Sequence, residues 1–98
     1  MAIEVLIRRA TDQGTSAKIL LPYITELRSR AVRQPGYISG ETLFNLERIE
    51  ECVVISRWTR LEHWRKWLRN PVRIELNGKM EKLLAAKAEY DIYSVGLW

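Results

Sequence analysis

The order of apolar and polar residues in the first third of the chain predicts a strand followed by a helix. Residues 3–9 alternate, with Ile3, Val5 and Ile7 on one face and Leu6 on the other, which is typical of a β-strand. Apolar side chains then recur at three- and four-residue spacing over residues 16–34, which predicts a helix: Leu20, Tyr23, Ile24, Leu27 and Ala31. Pro22 lies inside this stretch, so either a separate first turn precedes a helix that Pro22 opens, or the helix is kinked there.

The remainder of the chain predicts two strands, a helical stretch and a last strand. Residues 37–46 alternate, with one face formed by Ile38, Thr42, Phe44 and Leu46 and the other by Tyr37 and Leu43. Residues 51–59 predict a strand, in which residues 52–55 are apolar on both faces, and this indicates cover on both sides of the sheet. A helical pattern over residues 60–70 stops at Pro71 and resumes over residues 72–87, where Gly78 argues against one continuous helix. Residues 88–95 again resemble a strand.

This order of elements predicts an α+β protein with the ferredoxin-like βαββαβ arrangement. Its four-stranded antiparallel sheet would carry both helical segments on one face. Two helices cover only that face, yet apolar side chains are expected on the other from Leu6, from Tyr37 or Phe44, and from half of residues 52–55. A second copy packed sheet against sheet is the simplest cover, so we expect a homodimer.

Composition narrows the classes of function. The 98 residues suffice for one domain, which we expect to span residues 1–98. No apolar run is long enough to span a bilayer, and the N-terminus lacks the regions of a signal peptide, so we expect a cytoplasmic protein without a membrane partner. One histidine and the single Cys52 exclude most zinc sites, so we expect no metal. The third strand lacks the glycine and stacking aromatics of RNA-recognition domains, so nucleic acid is not an expected partner. The basic residues behind the net charge of +4 lie mostly on two predicted helices with acidic residues interleaved, which is typical of solvated helix faces. The alternative for one group is the edge of an electropositive pocket mouth: Arg60, Arg65, Lys66, Arg69 and Arg73.

Several segments resemble the antibiotic biosynthesis monooxygenase family. They are Gln-Pro-Gly-Tyr-Ile-Ser-Gly-Glu-Thr-Leu at residues 34–43, Val-Val-Ile-Ser-Arg-Trp at residues 53–58, and Leu-Glu-His-Trp-Arg-Lys-Trp-Leu at residues 61–68. A third strand that ends in Trp58, followed nine residues later by Trp67 on a helix, is the pattern of that family. The resemblance runs from about residue 3 to residue 95. It implies a dimeric α/β barrel made from two ferredoxin-like sheets, in agreement with the homodimer expected above.

The resemblance implies a monooxygenase that oxidises a small phenolic, quinol or polyketide-like aromatic with O2, without metal, flavin or other cofactor. Such a site needs an apolar box, hydrogen-bond donors and a base. The catalytic candidates are Trp67, His63 and Asn77, and the substrate-binding candidates are Trp58, Trp64, Tyr37, Phe44, Arg57 and Arg73. A haem-degrading branch of the superfamily carries an axial histidine ten residues after the helical Trp. Asn77 stands there instead, which disfavours haem degradation.

Each candidate also has a purely structural interpretation. The tryptophans are as readily core and interface residues, and His63 a partly exposed helix residue. Asn77 beside Gly78 is typical of the end of a helical turn. Arg57 is placed to pair with Glu41 or Glu4 across the sheet. A non-catalytic dimeric domain that binds a ligand or a partner therefore remains the alternative function, because cofactor-free oxygenation has no obligatory ligand set.

Overall fold

The computed structural model describes residues 1–96, which form four strands, three α-helices and one 3-10 turn. In chain order these are β1 (Ile3–Ala10), the 3-10 turn (Ala17–Leu20), α1 (Leu21–Ala31), β2 (Tyr37–Phe44), β3 (Glu51–Trp58), α2 (Leu61–Leu68), α3 (Pro71–Glu81) and β4 (Glu89–Ser94). The strands form one sheet in the order β2-β3-β1-β4, and all neighbouring strands are antiparallel. The predicted ferredoxin-like α+β arrangement is confirmed.

The alternation in β1 determines which side of the sheet is covered. Ile3, Val5 and Ile7 are buried beneath the helices, whereas Leu6 lies on the opposite face and is only half-buried. Leu6 pairs with Ile55 of β3 in the antiparallel register. The buried face extends across β3 through Trp58, and the core between the sheet and the helices also contains Leu20, Ile24, Leu27 and Met80.

Pro22 and Pro71 lie in the first turns of α1 and α3 and mark where these helices begin. Ala17–Leu20 forms a separate 3-10 turn, in which the Ser16 Oγ accepts from the Lys18 N–H at 3.2 Å, and Pro22 stands in the first turn of α1. The alternative in which Pro22 opens the main helix is therefore correct. Likewise Pro71 opens α3, where the Asn70 Oδ1 caps the helix by accepting from the Val72 N–H at 2.9 Å.

Two expectations about local structure are wrong. Helix α3 is continuous through Gly78, so Asn77 lies inside a helix and is buried rather than ending a turn. Packing of α3 against α1 offsets the roughly 1 kcal/mol that an interior glycine costs. In β2 the register shifts between Tyr37 and Ser39, and this irregularity turns Tyr37 onto the face that also carries Thr42 and Phe44. Ile38, predicted on that face, is instead about half exposed.

The face of the sheet opposite the helices carries apolar side chains that no element between residues 1 and 96 covers. Leu6, Val53 and Ile55 are half-buried there, and Leu43 is exposed. Ion pairs flank them, one between Arg57 and Glu4 and one between Arg8 and Asp91. None of the helices among the described residues has the length and apolar character that crossing a membrane requires.

Candidate functional site

A cavity opens between the sheet and the helices. Its volume of about 50 Å³ has room for roughly three to five water molecules, at about 10–15 Å³ for each. Side chains from β1, β2, β3 and all three helices converge on it. The lining residues are Ile7, Arg9, Ile24, Leu27, Arg28, Ala31, Tyr37, Gly40, Val54, Ser56, Trp58, Trp64, Trp67 and Arg73. Aliphatic and aromatic groups make most of its wall, and arginines supply the strongest polar groups.

The aromatic wall is built by edge-to-face contacts. The ring of Tyr37 meets the ring of Trp58 at 5.3 Å between centroids and 89° between planes, and Trp58 meets Trp64 at 6.0 Å and 60°. The Trp58 Nε1 donates to the Ser56 Oγ at 3.1 Å, and this hydrogen bond fixes the orientation of the indole ring. Gly40 leaves room for the Tyr37 hydroxyl beside this wall, because a Cβ there would displace it.

The tryptophans on α2 enter the cavity because of their spacing. Trp64 and Trp67 are three residues apart and therefore lie on one side of the helix, the side that packs on the sheet. Trp64 is 1% exposed, yet no group among residues 1–96 accepts from its Nε1. One indole N–H donor is thus buried at the cavity wall without a protein partner in the described part of the chain.

Two buried arginines form the polar end of the cavity. The Arg9 Nη2 donates to the Asn77 Oδ1 at 3.3 Å, and the Asn77 Nδ2 donates to the Glu81 Oε1 at 2.8 Å. The Arg73 Nη2 donates to the Tyr90 hydroxyl at 2.9 Å. The Arg73 guanidinium also lies 5.4 Å from the ring centroid of Trp64, within the range of a cation–π contact. Both arginines are 4% exposed.

Burial lowers the pKa of Arg9, and the neighbouring positive charge of Arg73 lowers this pKa further. Tyr90, Cys52 and Glu81 act in the opposite direction. A guanidinium remains protonated at neutral pH even so, because its ordinary pKa exceeds about 12. The cavity therefore ends in two fixed positive charges.

The structure brings most of the predicted aromatic residues together. Among the sequence candidates, the cavity is lined by Tyr37, Trp58, Trp64, Trp67 and Arg73. Asn77 does not line it and reaches it only by accepting from Arg9. Catalytic or binding roles for these residues stay predictions.

Three candidates lie elsewhere. His63 packs against Gly36, at the turn between α1 and β2. Arg57 lies on the opposite face of the sheet, where its Nη2 donates to Glu4 at 2.6 Å. Phe44 lines a second, more open cleft of about 560 Å³ at the far end of the sheet.

Arg9 is the residue that the sequence reasoning missed. It follows Arg8 at the end of a strand, and two adjacent arginines resemble a solvated pair. Its burial was predictable from the two-residue repeat of a β-strand, because Arg9 falls on the same face of β1 as Ile3, Val5 and Ile7. Among residues 1–96 there is no group of histidine, cysteine and carboxylate side chains suited to a metal ion.

Proteins of known structure share this architecture. No family model matches the sequence, and no curated protein matches it. Solved structures do match over almost the whole chain. The oxygenase SnoaB from Streptomyces nogalater, described as cofactor-independent, shares 15% identity at a TM-score of 0.85, over 99% of this chain and 95% of its own. The chain has the fold of the antibiotic biosynthesis monooxygenases.

Two further structures of this fold extend the likeness. A proposed antibiotic biosynthesis monooxygenase from Nitrosomonas europaea is 10% identical, with a TM-score of 0.85 over 99% of this chain and 91% of its own. Another antibiotic biosynthesis monooxygenase is 12% identical, with a TM-score of 0.83 over 97% and 99% of the two chains. At these identities the likeness concerns the fold, and the activity has to be argued from the cavity.

Proposed function

We propose that this protein is a cofactor-independent monooxygenase that oxidises a small phenolic, quinol or polyketide-like aromatic with O2. The aromatic-walled cavity with two buried guanidinium groups carries the proposal, because it combines surface for a ring with charge for its ionised oxygen. The fold shared with SnoaB, itself described as a cofactor-independent oxygenase, supports the same activity.

In this reaction the substrate itself transfers electrons to O2. A simple phenol and one molecule of O2 give one quinone and one water. One oxygen atom becomes the new ring carbonyl, and the other leaves as water with the hydroxyl hydrogen and one ring hydrogen. The ring is oxidised and O2 is reduced, because the ionised form of an electron-rich phenol, such as a quinol or an anthrol, can reduce O2 directly. The protein has to hold the ring, favour its deprotonated form and keep water out.

The side chains around the cavity suit these three tasks. The rings of Trp58, Trp64 and Trp67 offer a flat apolar contact for an aromatic substrate. The positive charges of Arg9 and Arg73 lower the pKa of a phenol bound beside them, since an adjacent cation favours the anionic form. We therefore assign the stabilisation of the phenolate to these arginines rather than to a histidine base.

We further infer that the protein acts as a homodimer. The uncovered sheet face carries Leu6, Val53 and Ile55 as a contiguous apolar strip across β1 and β3. An exposed apolar strip of this kind marks an interaction surface. In a symmetric dimer the same strip of a second copy packs against it. Light scattering at micromolar concentration should give twice the mass of one chain, and a monomeric mass would contradict the inference.

Oxygen uptake with a panel of hydroquinols and anthrols tests the enzymatic proposal. A rate above autoxidation, together with release of the quinone, is expected for at least one compound. Arg30→Gln is the control for loss of an arginine outside the cavity. It removes the exposed ion pair with Glu26 on α1 and should leave the rate of oxygen uptake unchanged. A panel without any rate above autoxidation would contradict the proposal.

The size of the cavity favours a second candidate, a non-catalytic ligand-binding domain. At about 50 Å³ it is a third of the roughly 150 Å³ that accommodates benzene in an engineered apolar cavity. A substrate ring therefore has to displace side chains or lie towards the mouth. Binding of an aromatic ligand without oxygen uptake identifies this alternative.

A further inference from the structure

The buried arginines of this protein differ in their partners from some of the exposed ones. Arg30 contacts Glu26 at 3.2 Å and Arg48 contacts Glu51 at 2.8 Å. Arg9 and Arg73 are almost fully buried, and no carboxylate among residues 1–96 lies within ion-pair distance of either. Exposed ion pairs contribute little to stability, whereas a buried charge without a counter-charge is costly. Stability alone does not account for this arrangement.

The partners that the buried arginines do have are neutral. Arg9 donates to the amide oxygen of Asn77 at 3.3 Å, and Arg73 donates to the hydroxyl of Tyr90 at 2.9 Å. Glu81 is the acid connected to this cluster, and it meets Asn77 rather than a guanidinium. The two positive charges are thus held in place without being neutralised by an ion pair within the described residues.

Unused hydrogen-bond donors adjoin these charges. The Arg9 Nε is buried without an acceptor among the described residues, and so is the Trp64 Nε1. Arg9, Arg73 and Trp64 all line the cavity. Buried donors are almost always satisfied in native proteins, so a group of unsatisfied ones beside a cavity indicates a ligand rich in acceptors.

The shape of the donors distinguishes between acidic groups. A phenolate contributes one oxygen, whereas a carboxylate has two coplanar oxygens that match the fork of a guanidinium. A carboxylate also fits a cavity of about 50 Å³ that is too small for a ring. In that pose the ring lies outside the enclosed volume, against the aromatic side chains that line the cavity.

The geometry points to a small aromatic carboxylate as the ligand of this cavity, with its carboxyl group held between Arg9 and Arg73 and its ring against the aromatic wall. This inference deepens the proposed function by naming a second acidic group of the substrate, a carboxylate, which takes the place of the phenolate oxygen between Arg9 and Arg73. It rests on that function only in placing substrate and carboxylate in the same cavity.

Calorimetric titration with benzoate, 4-hydroxybenzoate, phenol and acetate tests the inference. We expect the two aromatic carboxylates to bind at least tenfold more tightly than phenol or acetate. In Arg9→Gln and Arg73→Gln that preference over phenol should fall below about threefold, while the exposed control Arg30→Gln keeps it. Phenol binding as tightly as benzoate would overturn the inference, and so would acetate matching benzoate or the absence of any binding.

A second measurement needs no variant and so does not depend on correct folding of the substituted chains. The affinity of the wild-type protein for benzoate should stay constant from about pH 6 to about pH 9, because a carboxylate with a pKa near roughly 4 and both guanidiniums keep their charges. Affinity for benzoate that falls more than threefold over this range would contradict the assignment to arginine. Oxygen uptake with the hydroquinols and anthrols separates the two ideas, since tight binding of benzoate without uptake for any compound of that panel supports the carboxylate site and contradicts the oxygenase.

Discussion

Replacement of Gly36 by alanine should destabilise the protein far more than the equivalent change at Gly14. Both glycines have a positive φ, of 84° and 83° respectively, where an L-residue is strained. A Cβ at Gly14 would meet no atom within 4 Å, whereas one at Gly36 would collide with the ring of His63 and lie 2.7 Å from its Cβ. The backbone conformation is therefore matched, and only the steric contact differs.

The magnitude follows from these two contributions. An alanine in the left-handed region costs about 1–2 kcal/mol, which applies at both sites. Overpacking at Gly36 adds about 1–3 kcal/mol, because the His63 Cβ is fixed to the backbone of α2 and cannot rotate away. For a domain of this size each kcal/mol lowers Tm by about 4–8 °C.

Urea denaturation followed by tryptophan fluorescence measures the difference, at one protein concentration because dimerisation would contribute to stability. Gly78→Ala serves as the opposite control, since Gly78 lies within α3 with open space around it and alanine there should stabilise by about 0.5–1 kcal/mol. In a Gly36→Ala/His63→Ala double variant, loss of the ring should recover part of the destabilisation. If Gly36→Ala costs no more than Gly14→Ala, the close packing of His63 against this turn is refuted.

Three other predictions concern the cavity, the uncovered sheet face and pH. Trp67→Ala should lower oxygenase turnover at least tenfold while His63→Ala lowers it less than threefold, as measured by oxygen uptake; the reverse order would assign His63 as the base. Ile55→Lys places a charge on the uncovered face and should give the mass of a single chain in light scattering, whereas an unchanged dimer would exclude this face as the interface. Burial raises the pKa of the Cys52 thiol and of the Tyr37 hydroxyl, so folding stability should fall as pH rises above about 8.5, where an unfolded thiol ionises. The drop in urea midpoint from about pH 8 to about pH 10 should be smaller in Cys52→Ala, and an equal drop would rule out the thiol as its cause.

The close contact between Gly36 and His63 also connects stability to the site. The Gly36 carbonyl accepts from the Thr59 N–H at 2.8 Å, which ties the turn after α1 to the loop before α2. His63 lies on the same helix as Trp64 and Trp67, so its contact with Gly36 joins this turn to the helix that carries part of the aromatic wall.

Much of the architecture was predictable from local periodicity. The alternation of Ile3, Val5 and Ile7 determines which face of β1 is buried, and the helical spacing of Trp64 and Trp67 places both on the core side of α2. These patterns are local because each element must bury one apolar face whatever it packs against. The order of elements then leaves few topologies, of which the ferredoxin-like sheet is one.

The composition of the site depended on contacts between residues distant in the sequence. Arg9 and Arg57 are both arginines on strands, yet one lies under the helices and the other on the uncovered face with Glu4. Tyr37 joins the aromatic wall only because an irregularity in β2 turns it over. Such differences arise from sheet register and from helix packing, which a single strand does not encode.

The sequence by itself determined the order of strands and helical segments, the apolar faces and the aromatic residues available for a cavity, because these follow from the periods of helix and strand. Only the tertiary structure decided that two arginines end in that cavity without carboxylate partners among the described residues. The reason is that sheet register and helix packing bring residues distant in the sequence to these arginines, here Asn77 from α3 and Tyr90 from β4, which hold the guanidinium groups without neutralising them.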